Sequence, residues 1–298
     1  MYDTIIIGAG PAGISSSIYA KSRGKDVLVL DQKGVGGLIG NVSTVTHYSG
    51  ILPGETGQTF AARLKEQAEG SGVEIRVEKV EDVDLVSEPK KIKTDKGEYE
   101  TKTVILANGG SPKMLGIPGE NLGGMRLNAP RDGRNYKGKT VYVIGGADGA
   151  VKEALYLSNL AKKVVIVCVE DELISIPEFK NKVEAAENIE VMPHTSLTAV
   201  DGGAHLNKLE FTDLATGEKT IVEDPEAGVF VYAGIVPNTA MYPQLELDAA
   251  GFIPTDENME TAIPGVFAAG DIRSKKIRQV ATAVSDGAIA GIQAATKA

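Results

Sequence analysis

The feature that most constrains this chain is a strand–turn–helix–strand unit that occurs twice, 137 residues apart. The first copy has an apolar run at 4–7, the turn Gly8-Ala9-Gly10-Pro11-Ala12-Gly13, a helical stretch, and a second apolar run that ends in Asp31. The second copy has an apolar run at 141–144, the turn Gly145-Gly146-Ala147-Asp148-Gly149-Ala150, a helical stretch, and a run at 164–167 that ends in Cys168. Such a unit predicts parallel strands with a covering helix and a pyrophosphate site at the helix N-terminus. Two units in one chain imply two nucleotide sites, one for a flavin and one for a nicotinamide. The second copy is altered where the first is intact.

Each glycine of the first turn has a separate task. Gly8 makes the tight strand-to-helix turn, Gly10 leaves room for pyrophosphate against the backbone, and Gly13 lets the helix pack close to the strand. The helix entered through Pro11 and Ala12 offers free N–H groups and a positive dipole end to phosphates. Asp31 closes the second strand, where a carboxylate accepts hydrogen bonds from a ribose diol. Near the other end, residues 263–271 read as a buried strand ending in Gly270-Asp271. A carboxylate there suits the ribitol chain of FAD, and Gly270 permits close backbone approach. The two signals lie at opposite ends of the sequence, so they imply a discontinuous FAD domain. NAD alone has no need of both.

Composition narrows the classes. The 298 residues suit two domains of ordinary size, and 42% hydrophobic content is enough for packed cores. A net charge of -9 argues against general nucleic-acid binding. Met1 leads straight into a strand, which reads as no signal peptide, and no apolar run approaches the ~18 residues of a membrane span. The expected setting is cytoplasmic. The single cysteine, Cys168, excludes an internal disulfide, a Cys-x-x-Cys pair and a thiolate-ligated metal. In its Val- and Ile-rich strand it reads as a small hydrophobe. His47, His194 and His205 are scattered without metal spacing, so no metal site is expected. His47 reads as a satisfied loop histidine rather than a proton relay.

In these motifs and their order the chain resembles the low-molecular-weight thioredoxin reductase family. The resemblance runs from the Gly8–Gly13 turn to Gly270-Asp271 and Arg278-Gln279. Between them lie Gly36-Gly37, the run Val104-Ile105-Leu106-Ala107-Asn108-Gly109, the helix Glu153-Ala154-Leu155-Tyr156-Leu157-Ser158-Asn159, and Gly234-Ile235-Val236-Pro237-Asn238-Thr239. The resemblance implies noncovalent FAD held by Gly8, Gly10, Pro11, Ala12, Gly13, Asp31, Gln32, Gly36, Gly37, Leu38, Ala107, Asn108, Gly109, Gly270, Asp271, Arg278, Gln279 and Val280. It places Arg278 beside the pyrimidine side of the flavin, where a cation stabilises negative charge on the reduced ring. It also implies a homodimer.

The chain departs from that family at two places. Where the family has Cys-x-x-Cys-Asp-Gly, this sequence has Asn128-Ala129-Pro130-Arg131-Asp132-Gly133. Disulfide reduction needs one thiolate to attack and a second thiol to resolve, and neither is present. Asp132 reads as a turn residue. In the second nucleotide unit Ala147 replaces the second glycine, and the family's His-Arg-Arg run becomes Cys168-Val169-Glu170. The loss of both arginines removes contacts to a 2′-phosphate and Glu170 adds repulsion, which disfavours NADPH. Glu170 can accept from a 2′-hydroxyl, which leaves NADH open.

The expected fold class is α/β, with two Rossmann-like, three-layer ββα nucleotide-binding domains, the second inserted in the first, and small β-meanders. Residues 1–112 and 242–298 form the expected FAD-binding domain, and 113–241 the NAD(P)-binding-like domain. Linkers are expected at Ser111-Pro112 and Tyr242-Pro243. Residues 74–80, 91–94 and 97–100 read as one meander, and 280–288 as a small-residue helix. Cations cluster at Arg126, Arg131, Arg134, Lys137 and Lys139, and again at Arg273, Lys275, Lys276 and Arg278. Such patches suit an acidic carrier, ferredoxin or flavodoxin. The expected activity is an FAD-dependent oxidoreductase without an internal redox disulfide, exchanging electrons with such a carrier, NADH or a small molecule. The alternatives are a flavin subunit served by a partner's dithiol, or a non-catalytic flavin-binding protein.

Overall fold

The computed structural model describes residues 1–298. The chain begins with β1 (Tyr2–Ile7), α1 (Pro11–Lys21), β2 (Val27–Asp31), α2 (Gly57–Gly70), β3 (Glu74–Val77), β4 (Val80–Asp84), β5 (Lys90–Thr94), β6 (Glu98–Leu106) and β7 (Gly110–Pro112). It continues through β8 (Met125–Arg126), α3 (Ala129–Asp132), β9 (Thr140–Ile144), α4 (Asp148–Ser158), β10 (Lys163–Val167) and α5 (Pro177–Glu184). Then come β11 (Ile189–Met192), β12 (Thr195–Gly202), β13 (Leu206–Asp213), β14 (Lys219–Glu223) and β15 (Gly228–Val231). The chain ends with β16 (Ile235–Pro237), β17 (Val266–Ala268) and α6 (Val280–Lys297). No helix is long and apolar enough to cross a membrane.

The chain divides into two compact units. The first holds residues 1–40, 44–111 and 236–298, and the second holds 41–43 and 112–235. The return crossing therefore falls at 235–236, earlier than the 241–242 read from the sequence. Tyr242 is no linker residue: it is 1% exposed, and its hydroxyl donates to Asn108 Oδ1 at 2.8 Å. An aromatic ring with a partner for its hydroxyl is an anchor. Proline at 243 marks a turn beside that anchor.

In the first unit β3, β2, β1 and β6 form a parallel sheet, with β17 also parallel on β6. Both faces are covered, so the strands are apolar on both sides. Ile6, Val29, Ile105 and Phe267 pack with residues of α1 and α6. Ile5, Ile7, Leu28, Leu30 and Val104 pack with Val83, Ile92 and Tyr242 on the other side. The expected meander needs correction. β3 belongs to the central sheet, and only β4, β5 and β6 form the antiparallel layer. The chain changes layer at Glu78, a buried carboxylate that accepts from the hydroxyls of Thr94 at 2.7 Å and Tyr99 at 2.9 Å. Alternation along 74–80 gave no sign of that change.

The second unit repeats the plan. Its parallel sheet runs β11, β10, β9, β15, β8. Val141, Val143, Val164 and Ile166 pack with α4 and α5, whereas Tyr142, Ile144, Val165 and Val167 pack with β12 and β13. The period of two thus sorts side chains to a helical layer and to the β12–β13–β14 meander.

Candidate functional site

In the first unit the strands of the parallel sheet end at one place, and five separate segments meet there. At the end of β1, Gly8 has φ +107°, and a Cβ there would lie 2.4 Å from the carbonyl oxygen of Ala107. At Gly13 a Cβ would lie 1.9 Å from the oxygen of Gly8, so α1 stands against its own strand. Both glycines are required by the chain itself. Gly10 differs: it is the extended residue before α1, and a Cβ there would meet nothing within 4 Å.

The neighbouring segments close around this turn. Asp31, at the end of β2, accepts from the N–H of Ala9 at 2.9 Å and from those of Lys33 and Gly34 at 2.7 and 3.0 Å. Its carboxylate braces the loop and keeps acceptor capacity on Oδ2. The N–H of Gly36 donates to the oxygen of Ala9 at 2.9 Å, and a Cβ on Gly37 would lie 3.2 Å from Gly10 Cα. Gly270, at φ +81°, would bring a Cβ to 2.8 Å from that of Ala12. Gly8, Gly10, Ala12, Gly13, Asp31, Gly36, Gly37, Ala107, Gly270 and Asp271 are therefore one constellation.

Other expected members stand apart or are otherwise engaged. Gln32 and Leu38 are exposed. The side chain of Asn108 accepts from Tyr242 and donates to the oxygen of Asn238 at 2.9 Å, while Asn238 Nδ2 returns a bond to the oxygen of Asn108 at 2.7 Å. Asn108 thus fastens the end of β6 to the return segment, and the oxygen of Gly109 does the same by accepting from the N–H of Asn238 at 3.0 Å. Gln279 is the residue before α6, in a reciprocal cap with Thr282, and Val280 begins the helix. Arg278 is not a freely solvated cation. Its guanidinium lies 3.9 Å from the centroid of the Phe252 ring, and its Nε is buried without a partner. His47 is exposed at φ +56°.

Asp271 follows Gly270 in the short turn Gly270–Ile272. Burial pushes its carboxyl above the usual range, against the pull of Lys275 and Arg278. Its Oδ1 is shielded from solvent and accepts no hydrogen bond. Lys275 Nζ stands 3.6 Å from that oxygen. Behind it lies Asp286 of α6, which sequence reading missed: it is 6% exposed and accepts from Arg273, Lys275 and the N–H of Gly270. A lone acid among the small residues of 280–297 was the available signal.

The two cationic clusters are partly paired with acids. Arg273 and Lys275 pair with Asp286 at 2.9 Å each, with their side chains 16% and 10% exposed. Arg131 pairs with Asp132 at 2.8 Å, and Lys139 with Glu226 at 3.4 Å. Arg126 lies over the ring of Tyr136. Arg134, Lys137 and Lys276 are exposed. A continuous basic face therefore does not follow from the count of cations.

In the second unit the turn keeps its backbone and changes its side chains. Gly145 has φ +133°, and Ala147 occupies the extended position before α4. Ala147 forms a bridge with Ile174, and Asp148 Oδ1 accepts from the Ser175 hydroxyl at 2.8 Å and the Ile176 N–H at 2.9 Å. Cys168 is buried, its thiol pushed up by burial and directed to the oxygen of Glu170 at 3.8 Å. That is the environment of an unreactive thiol. A Cβ on Gly146 would lie 3.2 Å from Glu170 Oε2, so the carboxylate has come to the glycine turn from three residues beyond the end of β10.

Residues 128–133 form a helical turn. Asn128 caps α3, its Oδ1 accepting from the N–H of Arg131 at 2.9 Å while its Nδ2 donates to Asn41 Oδ1 at 2.9 Å. The N–H of Ala129 donates to the Tyr232 hydroxyl at 2.9 Å. Asp132 closes the helical turn in its ion pair with Arg131. Close by in sequence terms, Glu153 of α4 is 1% exposed, accepts from the N–H of Ser43 at 2.9 Å, and has no partner for Oε2. No group of three or more His, Cys, Asp or Glu side chains is arranged to hold a metal.

The pyridine nucleotide-disulphide oxidoreductase family matches residues 2–287. The thioredoxin reductase of Peptoclostridium litorale is 40% identical over 302 residues, covering 99% of this chain and 96% of the relative. A 34.2 kDa protein in the rubredoxin operon of Clostridium pasteurianum is 36% identical over 297 residues, covering 98% and 96%. The crystal structure of Lactococcus lactis thioredoxin reductase in its FR conformation superposes with a TM-score of 0.94 at 33% identity, over 99% of this chain and 98% of that one. The chain therefore belongs to the pyridine nucleotide-disulphide oxidoreductase family, as an FAD-dependent oxidoreductase of the thioredoxin reductase-like type.

Proposed function

We propose that this oxidoreductase works without a redox disulfide of its own. The observation that carries the reading is the single cysteine, buried beyond β10, together with Asn128 and Arg131 at the positions of the family's dithiol. Bound FAD would supply two-electron redox chemistry that is exchanged directly with an external donor or acceptor. The chain's own residues fit that group. Gly10 leaves open space beside the N-terminus of α1, where N–H groups favour a pyrophosphate. Asp271 holds an acceptor closed from water and unpartnered, as a cofactor hydroxyl requires. Gly36, Gly37, Ala107 and Gly109 offer backbone, and Arg278, held on Phe252, offers positive charge.

In the second unit the reading favours NADH over NADPH. No arginine stands at 168–170, directly after β10, and the Glu170 carboxylate at the Gly146 turn accepts from a ribose hydroxyl but repels a phosphate. An acidic carrier, ferredoxin or flavodoxin, is the proposed protein partner, supported in the first unit by exposed Lys276 beside Arg278. A homodimer and a cytoplasmic setting belong to the same reading and rest on family membership.

The test is anaerobic reduction of the purified protein followed by its visible spectrum. The expected result is a flavin band bleached by NADH or reduced ferredoxin at least tenfold faster than by NADPH. Thioredoxin disulfide should not be reduced in the same cell. Absence of a flavin band after reconstitution with FAD sinks the proposal. Bleaching only in the presence of a dithiol-bearing protein assigns the thiols to a partner, and no bleaching by any donor marks a non-catalytic flavin protein.

A further inference from the structure

Asp286 sits within α6 on the side that packs against α1, among Ala283, Gly287 and Ala290. That packing is close: a Cβ on Gly287 would lie 2.2 Å from the oxygen of Ala12. A carboxylate in such a place needs full pairing. It has three donors. Oδ1 accepts from Arg273 Nη1 at 2.9 Å, and Oδ2 accepts from Lys275 Nζ at 2.9 Å and the N–H of Gly270 at 3.1 Å. The last contact fixes the turn that presents Asp271.

Lys275 is the informative member. Its ammonium has three N–H bonds. One goes to Asp286 and one to the hydroxyl of Thr282 at 3.2 Å. Held by those two, the nitrogen stops 3.6 Å from Asp271 Oδ1. At that separation the positive charge still favours the ionised carboxylate, but the hydrogen bond is not formed. Asp271 Oδ1 is consequently dry and open as an acceptor, with the Lys275 charge opposing the effect of burial on its carboxyl.

We infer that Asp286 and Lys275 are positioning residues for the cofactor carboxylate: Asp286 restrains Lys275 so that it supports the charge of Asp271 without occupying its free oxygen. The inference rests on the reading that Asp271 accepts from an FAD hydroxyl. Removing Asp286 frees Lys275 to close on Asp271 and fill the acceptor. Removing the charge of Lys275 leaves Asp271 with a buried oxygen and a weaker claim on ionisation. Either change weakens FAD binding although neither side chain need touch the cofactor.

The test uses the full chain reconstituted with FAD, diluted in steps, with the recovered fluorescence of released FAD giving Kd. Asp286→Asn and Lys275→Met are each expected to raise Kd at least tenfold. Lys275→Arg, which keeps the charge, is expected to return Kd to within about threefold of the parent. A Kd unchanged in Lys275→Met overturns the inference. So does an equal loss in Lys275→Met and Lys275→Arg, which points to packing rather than charge. If Asp286→Asn does not fold, the Lys275 pair still decides. A parent chain that takes up no FAD overturns the flavin reading itself, whereas a tight-binding parent with tight-binding variants overturns only this one.

Discussion

The two glycine turns of this chain have nearly the same backbone and different chemistry. Gly10 and Ala147, each just before its helix, have φ/ψ of -74°/-178° and -86°/172°. The N–H of Gly8 meets the oxygen of Leu30 at 2.8 Å, and that of Gly145 meets the oxygen of Val167 at 2.8 Å. A Cβ on Gly8 would lie 2.4 Å from Ala107 O, and one on Gly145 2.5 Å from Tyr232 O. That glycine is kept in both copies because the neighbouring strand leaves no room. The middle glycine is kept only in the first copy, where no atom of the chain requires it. Position by position, the fold dictates one glycine and makes no demand for the other. The third position separates the copies again, since Gly13 becomes Ala150, and α4 carries a methyl where α1 lies against Gly8 O at a distance no methyl tolerates.

The largest expected effect tests that third position. Gly13→Ala should destabilise the FAD-free chain by about 3 kcal/mol, because the methyl would sit 1.9 Å from Gly8 O and overpacking cannot relax into backbone. Ala150→Gly, the reverse change in the second copy, should cost only about 1 kcal/mol, the propensity difference in a helix. Denaturant unfolding of both variants measures the contrast, and equal losses would refute it. Gly10→Ala comes next. It should leave unfolding free energy within about 0.5 kcal/mol of the parent while FAD affinity falls at least tenfold, about 1.4 kcal/mol. A loss of stability in that variant would mean that the chain, not a ligand, selects glycine there.

Much of this was legible in the sequence, for a physical reason. Turn glycines, period-two strands and the small-residue pattern of α6 are local, and local rules carry them. What was not legible depends on pairs far apart in the chain. Tyr242 looked like a linker beside Pro243 until its hydroxyl met Asn108, 134 residues away. The cations at 273–278 looked like a docking patch until Asp286 took two of them inward. Charge read along a sequence says nothing of which charges cancel. Residues 74–80 read as one strand because alternation continues through Glu78, where two hydroxyls turn the chain into a different layer. Asn128 was read only as a missing cysteine, and its part as a helix cap emerged with α3.

A smaller effect concerns charge in the second copy, where Glu153 has no counterpart near the first turn. Burial raises its carboxyl above the usual range, opposed by the Ser43 N–H and by Lys152. A raised folded-state value means that its contribution is fully present below the unfolded value of ~4.3 and is lost as pH rises through the folded value. At pH 7 the half-satisfied carboxylate therefore weakens the unit. Glu153→Gln should raise stability by about 1 kcal/mol at pH 7 and give no gain at pH 4. Denaturation curves at the two pH values check the sign, and a gain of equal size at both would reject it.

The smallest effect belongs to Ala147, and it asks whether the second turn has been closed by its methyl or by its neighbours. In the first copy the space beside Gly10 is open to a ligand, and Gly37 approaches from the side. In the second, Ile174 bridges Ala147, and Ser175 and Ile176 hold the carboxylate of Asp148 at the start of α4. If the methyl alone obstructs a pyrophosphate, Ala147→Gly should tighten NADH binding about threefold, close to 0.7 kcal/mol. Titration followed by nicotinamide fluorescence reads this directly. An unchanged Kd would transfer the obstruction to the 174–176 segment and to Asp148, which already engages donors there that hold the helix start. The two turns would then differ less by one methyl than by what the chain has laid across the second.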